Sequence, residues 1–93
     1  MSISTEQIQT LTDAITFAKN NMESCFPQKN EEEMIFLQAA FEIGRDFRTL
    51  GYSDGDLKEH MEAVKERGGY YSINDILGKN LIEFLEKAYD FLK

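Results

Sequence analysis

The chain has 93 residues, of which 42% are apolar and 29% charged, and its 17 acids against 10 Lys and Arg give a formal charge of −7. This length suits a single domain over residues 1–93, and the apolar content excludes an intrinsically disordered chain. One cysteine excludes a disulfide framework and a multi-cysteine zinc site within one chain. The excess of acids, which both halves of the chain share, argues against a surface that follows nucleic-acid phosphates.

The first two helical segments follow from capping residues and apolar periodicity. A helix is predicted over residues 5–22, where Ser4 and Gln7 form a capping-box pattern ahead of apolar residues spaced by three and four. A second is predicted over residues 31–50 with Asn30 as its N-cap. Its apolar arc is wide, which places this helix at the centre of the core.

Two further helices complete the predicted fold. The third and shortest covers residues 54–67, with Ser53 as its N-cap and a narrow apolar edge. The fourth covers residues 73–92, with Ser72 as its N-cap and a long apolar face. Because no period-2 alternation or hairpin turn is present, we predict an all-α fold, a small four-helix bundle-like domain with a short third helix.

The chain offers little for catalysis or metal binding. Cys25 and His60 are the only cysteine and the only histidine, and they lie in different segments. His60 has charged neighbours and is predicted to be a solvated surface side chain. The Asp54-Gly55-Asp56 turn begins like a calcium loop, but lysines stand at its fifth and twelfth positions, where oxygen ligands are needed. We therefore expect a protein that is not an enzyme, with no metal site and no cofactor.

One short segment suggests DNA binding, and its charges argue against it. Leu50-Gly51-Tyr52-Ser53, followed by Asp56-Leu57, resembles the turn that enters a helix in regulators of the MerR helix-turn-helix type. The helix that this resemblance would place on DNA carries more acids than bases, so phosphates would repel it. The same charge discourages contact with anionic membranes. Without a secretory signal at the N-terminus, and with a lone thiol, the chain is expected to be cytoplasmic.

The acids of the third helix suggest recognition of a partner protein. Glu59, Glu62 and Glu66 are spaced to align along one face, and the loop after them adds residue types enriched at interface hot spots. The predicted contact surface consists of Glu59, Glu62, Glu66, Arg67, Tyr70 and Tyr71. One of the two tyrosines is expected to pack over the core instead. The leading hypothesis is a small acidic interaction module that binds a larger protein with a basic groove and modulates or inhibits it. Small acidic phage proteins that imitate DNA and inhibit defence systems use this logic.

Other interpretations stay open. In one, the acids of the third helix only solvate the domain. Arg45 and Arg48, beside Phe47, are placed to bracket a phosphate and a ring, which would make the protein a helical oligomer that binds a small ligand such as a nucleotide signal. The opposite interpretation pairs these arginines with Glu42 and Asp46. In the last interpretation, the protein is a purely structural homodimer that forms through wide apolar faces on the second and fourth predicted helices.

Overall fold

The structure is a computed structural model that describes residues 5–21, 29–70 and 73–92. These residues form five helices in chain order: α1 (Thr5–Asn21), α2 (Glu31–Thr49), α3 (Asp54–Glu66), α4 (Ile73–Gly78) and α5 (Leu81–Asp90). The all-α, bundle-like fold class is confirmed, and the described residues contain no strand. The predicted caps Ser4 and Ser72, the predicted end of the first helix at residue 22, and Cys25 lie outside the described residues.

The helices α1 and α2 approach each other closely where a glycine faces a threonine. Thr12 is buried on α1 and donates its hydroxyl hydrogen to the backbone carbonyl of Ile8 at 2.8 Å, so its polar group is satisfied within its own helix. Gly44 lies opposite on α2, where an added Cβ would stand 3.0 Å from the Cβ of Thr12. The absent side chain allows this close packing.

α2 contacts α1, α3 and α5, which confirms the central position predicted for it. The buried residues of α2 are Leu37, Ala39, Ala40, Ile43, Gly44 and Phe47. Its N-terminus carries the predicted capping box, in which the Asn30 side chain accepts from the Glu33 N–H at 2.8 Å and the Glu33 carboxylate accepts from the Asn30 N–H at 3.3 Å. This reciprocal pair satisfies two backbone donors that the helix itself cannot.

The turn from α2 to α3 is a Schellman motif. Gly51 has a φ of 87° and donates its N–H to the Arg48 carbonyl, while the Tyr52 N–H donates to the Phe47 carbonyl, both at 3.1 Å. The rings of Phe47 and Tyr52 meet edge to face with centroids 5.2 Å apart, which is the apolar contact that accompanies this motif. The turn therefore ends α2 and directs the chain toward the Ser53 cap of α3.

A second Schellman motif ends α3. The narrow apolar edge predicted for this helix is buried and consists of Leu57, Met61 and Val64. Gly68 has a φ of 77° and donates to the Lys65 carbonyl at 3.0 Å, and Gly69 donates to the Val64 carbonyl at 2.9 Å. The two glycines serve different needs, because Gly68 supplies the left-handed backbone and Gly69 leaves room for Val64.

The segment predicted as one helix over residues 73–92 is divided into α4 and α5, a correction to that prediction. Asn80 has a φ of 64°, and its side-chain oxygen accepts from the Ile82 N–H at 2.8 Å. Asparagine enters the left-handed region more readily than most side chains and is a favoured N-cap. The chain therefore leaves helical geometry after Gly78, turns at Asn80 and begins a new helix at Leu81.

α5 closes the core against α1 and α2. Its Phe84 is buried and stacks on Phe36 of α2 with ring centroids 4.6 Å apart, and Phe91 meets the edge of the same Phe36 ring at 5.6 Å. The ammonium of Lys87 lies 4.9 Å from the Phe36 centroid. These aromatic contacts anchor the C-terminal helix to the central one.

Replacing Gly69 with alanine is expected to destabilise the protein by about 1 to 3 kcal/mol, the usual cost of an overpacked site. An added Cβ would stand 2.7 Å from Val64 Cγ1, and the branched valine side chain has little freedom to move away. Gly55→Ala is the matched control, because Gly55 is exposed within α3 and a Cβ there meets nothing closer than 4.0 Å. Urea unfolding should show Gly55→Ala at least as stable as the wild type. Equal loss in both variants would contradict this account.

Candidate functional site

Four residues of the predicted contact surface are exposed on α3 and at its C-cap. Glu59, Glu62 and Glu66 are all exposed, and Arg67 is exposed at the C-cap of the same helix. In the described part of the chain, none of the three glutamates forms an ion pair with a lysine, arginine or histidine. The outer face of α3 therefore presents a row of carboxylates to solvent.

The structure describes one of the two tyrosines of the following loop, and that one is buried. Tyr70 is only 5% exposed and belongs to the core, so it is removed from the exposed contact surface. This is the packing that the sequence predicts for one tyrosine of the pair. Tyr71 lies outside the described residues. The part of the predicted surface that the structure shows is thus charged rather than aromatic.

Asp46 of α2 connects α3 and the loop after it to the centre of the molecule. Its Oδ2 accepts hydrogen bonds from the Tyr70 hydroxyl and from His60 Nε2, the latter at 2.9 Å. Its Oδ1 accepts from Arg45 Nε at 3.2 Å. An ionised carboxylate only accepts hydrogen bonds, so His60 carries its proton on Nε2 in this arrangement.

The surroundings of this carboxylate shift two pKa values in opposite directions. Burial alone would raise the pKa of Asp46, but hydrogen bonds from Tyr70, His60 and Arg45 outweigh it and leave that pKa below its ordinary value. Burial, together with the hydrogen bond to Asp46, raises the pKa of the Tyr70 phenol well above its ordinary value. The pair is therefore a carboxylate that accepts and a neutral phenol that donates.

His60 is half-buried in this cluster, which corrects the prediction of a solvated surface histidine. Its side chain is 29% exposed, and its ring lies 6.3 Å from the Tyr70 ring in an edge-to-face arrangement. The charged residues beside His60 in the sequence point elsewhere on the helix, whereas His60 turns toward α2. Its partner Asp46 is 14 residues away, so helical spacing within α3 could not reveal the contact.

The arginines predicted to bracket a ligand have partners within the chain. Arg48 donates from Nε and Nη2 to Asp13 of α1 at 3.1 and 2.6 Å, and Nη2 also donates to the Thr16 hydroxyl at 3.1 Å. The hydrogen bond to Asp13 is the main cause of a raised pKa at Arg48. Arg45 pairs with Asp46, as the opposite interpretation predicts, while the partner of Arg48 is Asp13 and not Glu42 or Asp46.

Phe47 cannot provide the ring contact that the ligand hypothesis gives it, because it is fully buried in the core. A cleft of about 370 Å³ nevertheless opens beside Arg45 and Arg48, between α1 and α2. The cleft is lined by Thr16, Lys19, Asn20, Gln38, Phe41, Glu42, Arg45 and Arg48. Its aromatic residue is Phe41, which precedes Phe47 by about 1.7 helical turns. Sequence reasoning missed it because Phe41 belongs to the wide apolar arc of α2, which the sequence assigns to the core.

The apolar faces proposed for a homodimer are largely used inside the chain. α2 packs against α1, α3 and α5, and Phe36 is covered by two aromatic rings. Phe17 of α1, 70% exposed, is the large hydrophobic side chain that the described residues present to solvent. A single exposed side chain of this kind is common on monomeric proteins.

No described helix has the length and apolar character needed to cross a bilayer. Among residues 5–21, 29–70 and 73–92, no group of three or more His, Cys, Asp or Glu side chains is placed to hold a metal ion. No protein-family model, curated protein or solved structure matches the chain. Fold and surface together define a small all-α domain with an acidic third helix.

Tyr70→Phe is expected to lower the free energy of unfolding by about 1 to 2 kcal/mol, because it removes a hydrogen bond to a charged, half-buried acceptor. The aromatic packing of residue 70 is kept. A double-mutant cycle with Asp46→Asn, measured by urea unfolding, should give a favourable coupling energy between the two side chains. Strict additivity of the two substitutions would show that the contact contributes nothing.

The lowered pKa of Asp46 predicts a contribution to stability that acid removes. Above about pH 3.9, the ordinary value of an unfolded aspartate, this contribution is fully present. As the pH falls through the lower pKa of the folded state, the unfolded chain binds the proton more readily, and the contribution is lost. The stability difference between wild type and Asp46→Asn should therefore shrink on going from pH 6 to pH 3. A difference that does not change with pH would contradict the assignment.

Proposed function

We propose that this protein is a small, non-enzymatic, cytoplasmic interaction module that binds a basic groove on a larger protein and modulates or inhibits it through the outer face of α3. The observation that carries the proposal is the row formed by Glu59, Glu62 and Glu66, exposed and without ion-pair partners among the described residues. The cytoplasmic setting rests on the single thiol of Cys25, which suits a reducing compartment.

The row has the geometry of a rigid recognition element. Its carboxylates lie three and four residues apart, which is about 4.5 to 6 Å along a helix axis. Ala63 is exposed beside them, and its short side chain leaves room for a partner to approach. Because Asp46 holds His60 and Tyr70 from the opposite side, α3 presents the row from a fixed position.

The charge of the row favours a basic partner. Exposed carboxylates accelerate encounter with a positively charged surface and fix its register more than they add to affinity. Binding that depends on them weakens as salt is added, because screening acts strongly on exposed charges. Arg67, at the end of the row, marks where the negative surface stops.

The test compares two variants with the same change in net charge. The α3 variant carries Glu59→Gln, Glu62→Gln and Glu66→Gln, and the control carries Glu32→Gln, Glu83→Gln and Glu86→Gln. All six positions are exposed. In an amide-resonance NMR titration with a lysine oligomer at fixed ionic strength, the wild type and the control should bind alike. The α3 variant should bind at least about fivefold more weakly, as expected from losing several exposed ion pairs.

The same three proteins, immobilised, then serve to capture partners from a lysate of the source organism. A partner that the wild type and the control retain, and that the α3 variant loses, supports the proposal. Thermal unfolding of each variant verifies that the fold is intact. Equal weakening in the α3 variant and the control would show that only overall charge matters, and the assignment of this face would be wrong.

A further inference from the structure

We propose that the cleft between α1 and α2 binds a small organic phosphate. It holds three of the ten Lys and Arg residues of the chain, namely Lys19, Arg45 and Arg48, and one acid, Glu42. In a chain of net charge −7, this concentration of cations stands out. Arg45 and Arg48 also pair with Asp46 and Asp13, so the cleft offers cationic donors rather than a large net positive charge. The site is separate from the outer face of α3, so the two proposals stand or fall independently.

Arg48 forms a fixed wall of the cleft. Its pairing with Asp13 and the hydrogen bond from Nη2 to the Thr16 hydroxyl hold the guanidinium across α1 and α2. Its side chain is 33% exposed, so the fixed group still faces the opening. A bound anion would meet this guanidinium already in position, which lowers the ordering cost of binding.

Arg45 and Lys19 supply the groups that can turn toward a ligand. Arg45 uses only Nε in its bond to Asp46, its side chain is 70% exposed, and its two terminal nitrogens have no hydrogen-bond partner among the described residues. Lys19 makes no ion pair within the described part of the chain, and its ammonium lies 4.5 Å from the Phe41 centroid. Asn20 and Gln38 add amide donors at the same wall.

The number of donors favours a phosphate over a carboxylate. A phosphate monoester carries about −1.5 to −2 charges near neutral pH and three acceptor oxygens. Three cationic side chains and the amides of Asn20 and Gln38 line the cleft, which is enough donors for three phosphate oxygens, and arginine forks suit such oxygens. Phe41, half-buried at the same wall, gives the organic part of the ligand an apolar surface.

The size and the charges of the cleft limit what it accepts. About 370 Å³ lies toward the small end of ligand pockets, which span about 300 to 1,000 Å³. The carboxylate of Glu42 repels an anion and therefore reduces the affinity of the cleft for a phosphate. This opposing charge offers a variant that should improve binding, which a merely structural role of the cleft would not explain.

The experiment is an amide-resonance NMR titration at fixed ionic strength with adenosine monophosphate, ribose 5-phosphate and inorganic phosphate, and with adenosine as the ligand without phosphate. The three phosphates should shift the resonances of Thr16, Asn20, Gln38 and Arg45 saturably, and adenosine should not. Arg45→Gln and Lys19→Gln should each weaken binding about three- to tenfold, and Glu42→Gln should tighten it about threefold.

Lys79→Gln is the matched control, because Lys79 is exposed in the turn between α4 and α5 and its substitution changes the net charge equally. Binding in this variant should equal that of the wild type. The proposal is overturned if no phosphate gives saturable shifts below about 10 mM, if Lys79→Gln weakens binding as much as Arg45→Gln does, or if adenosine alone binds as well as its phosphate.

Discussion

The position of α3 depends on one carboxylate that the central helix turns toward it. Asp46 accepts from His60 within α3 and from Tyr70 just after it, so a single side chain holds both the helix and the turn that ends it. Removing one partner of such a cluster leaves the others unsatisfied in a half-buried place, which costs more than the net gain from forming the bond. These hydrogen bonds fix the buried side of α3 against α2, and this sets the position of its exposed face.

The charge of −7 acquires different meanings when its acids are placed on the structure. Glu33 completes a capping box, Asp13 pairs with Arg48 across two helices, and Asp46 organises the cluster at α3. These acids have structural roles. Glu59, Glu62 and Glu66 have no ion-pair partner among the described residues, and they stand together in one row on α3. The proposed interaction with a basic partner would use this local row rather than the overall charge.

Local features of the fold could be predicted from the sequence, and contacts between distant residues could not. The caps at Asn30 and Ser53 and the apolar stripes depend on neighbours within one or two turns, so spacing reveals them. The contact of Asp46 with Tyr70 spans 24 residues and depends on how α3 crosses α2. The break between α4 and α5 was not predicted because the apolar periodicity continues across Asn80. Gly78, two residues earlier, is a sequence signal of a helix end.

Asp46 of α2 contacts Arg45 at the cleft as well as His60 of α3, and its geometry keeps the two candidate surfaces independent. Its Oδ1 accepts from Arg45 at the cleft, while its Oδ2 accepts from His60 and Tyr70 at α3. If a phosphate draws Arg45 away, the carboxylate keeps both donors that position α3. The bond it loses is to a largely exposed guanidinium, and such exposed pairs contribute little to stability. Occupation of the cleft would therefore leave the acidic face in place, so the two proposed binding surfaces would not compete.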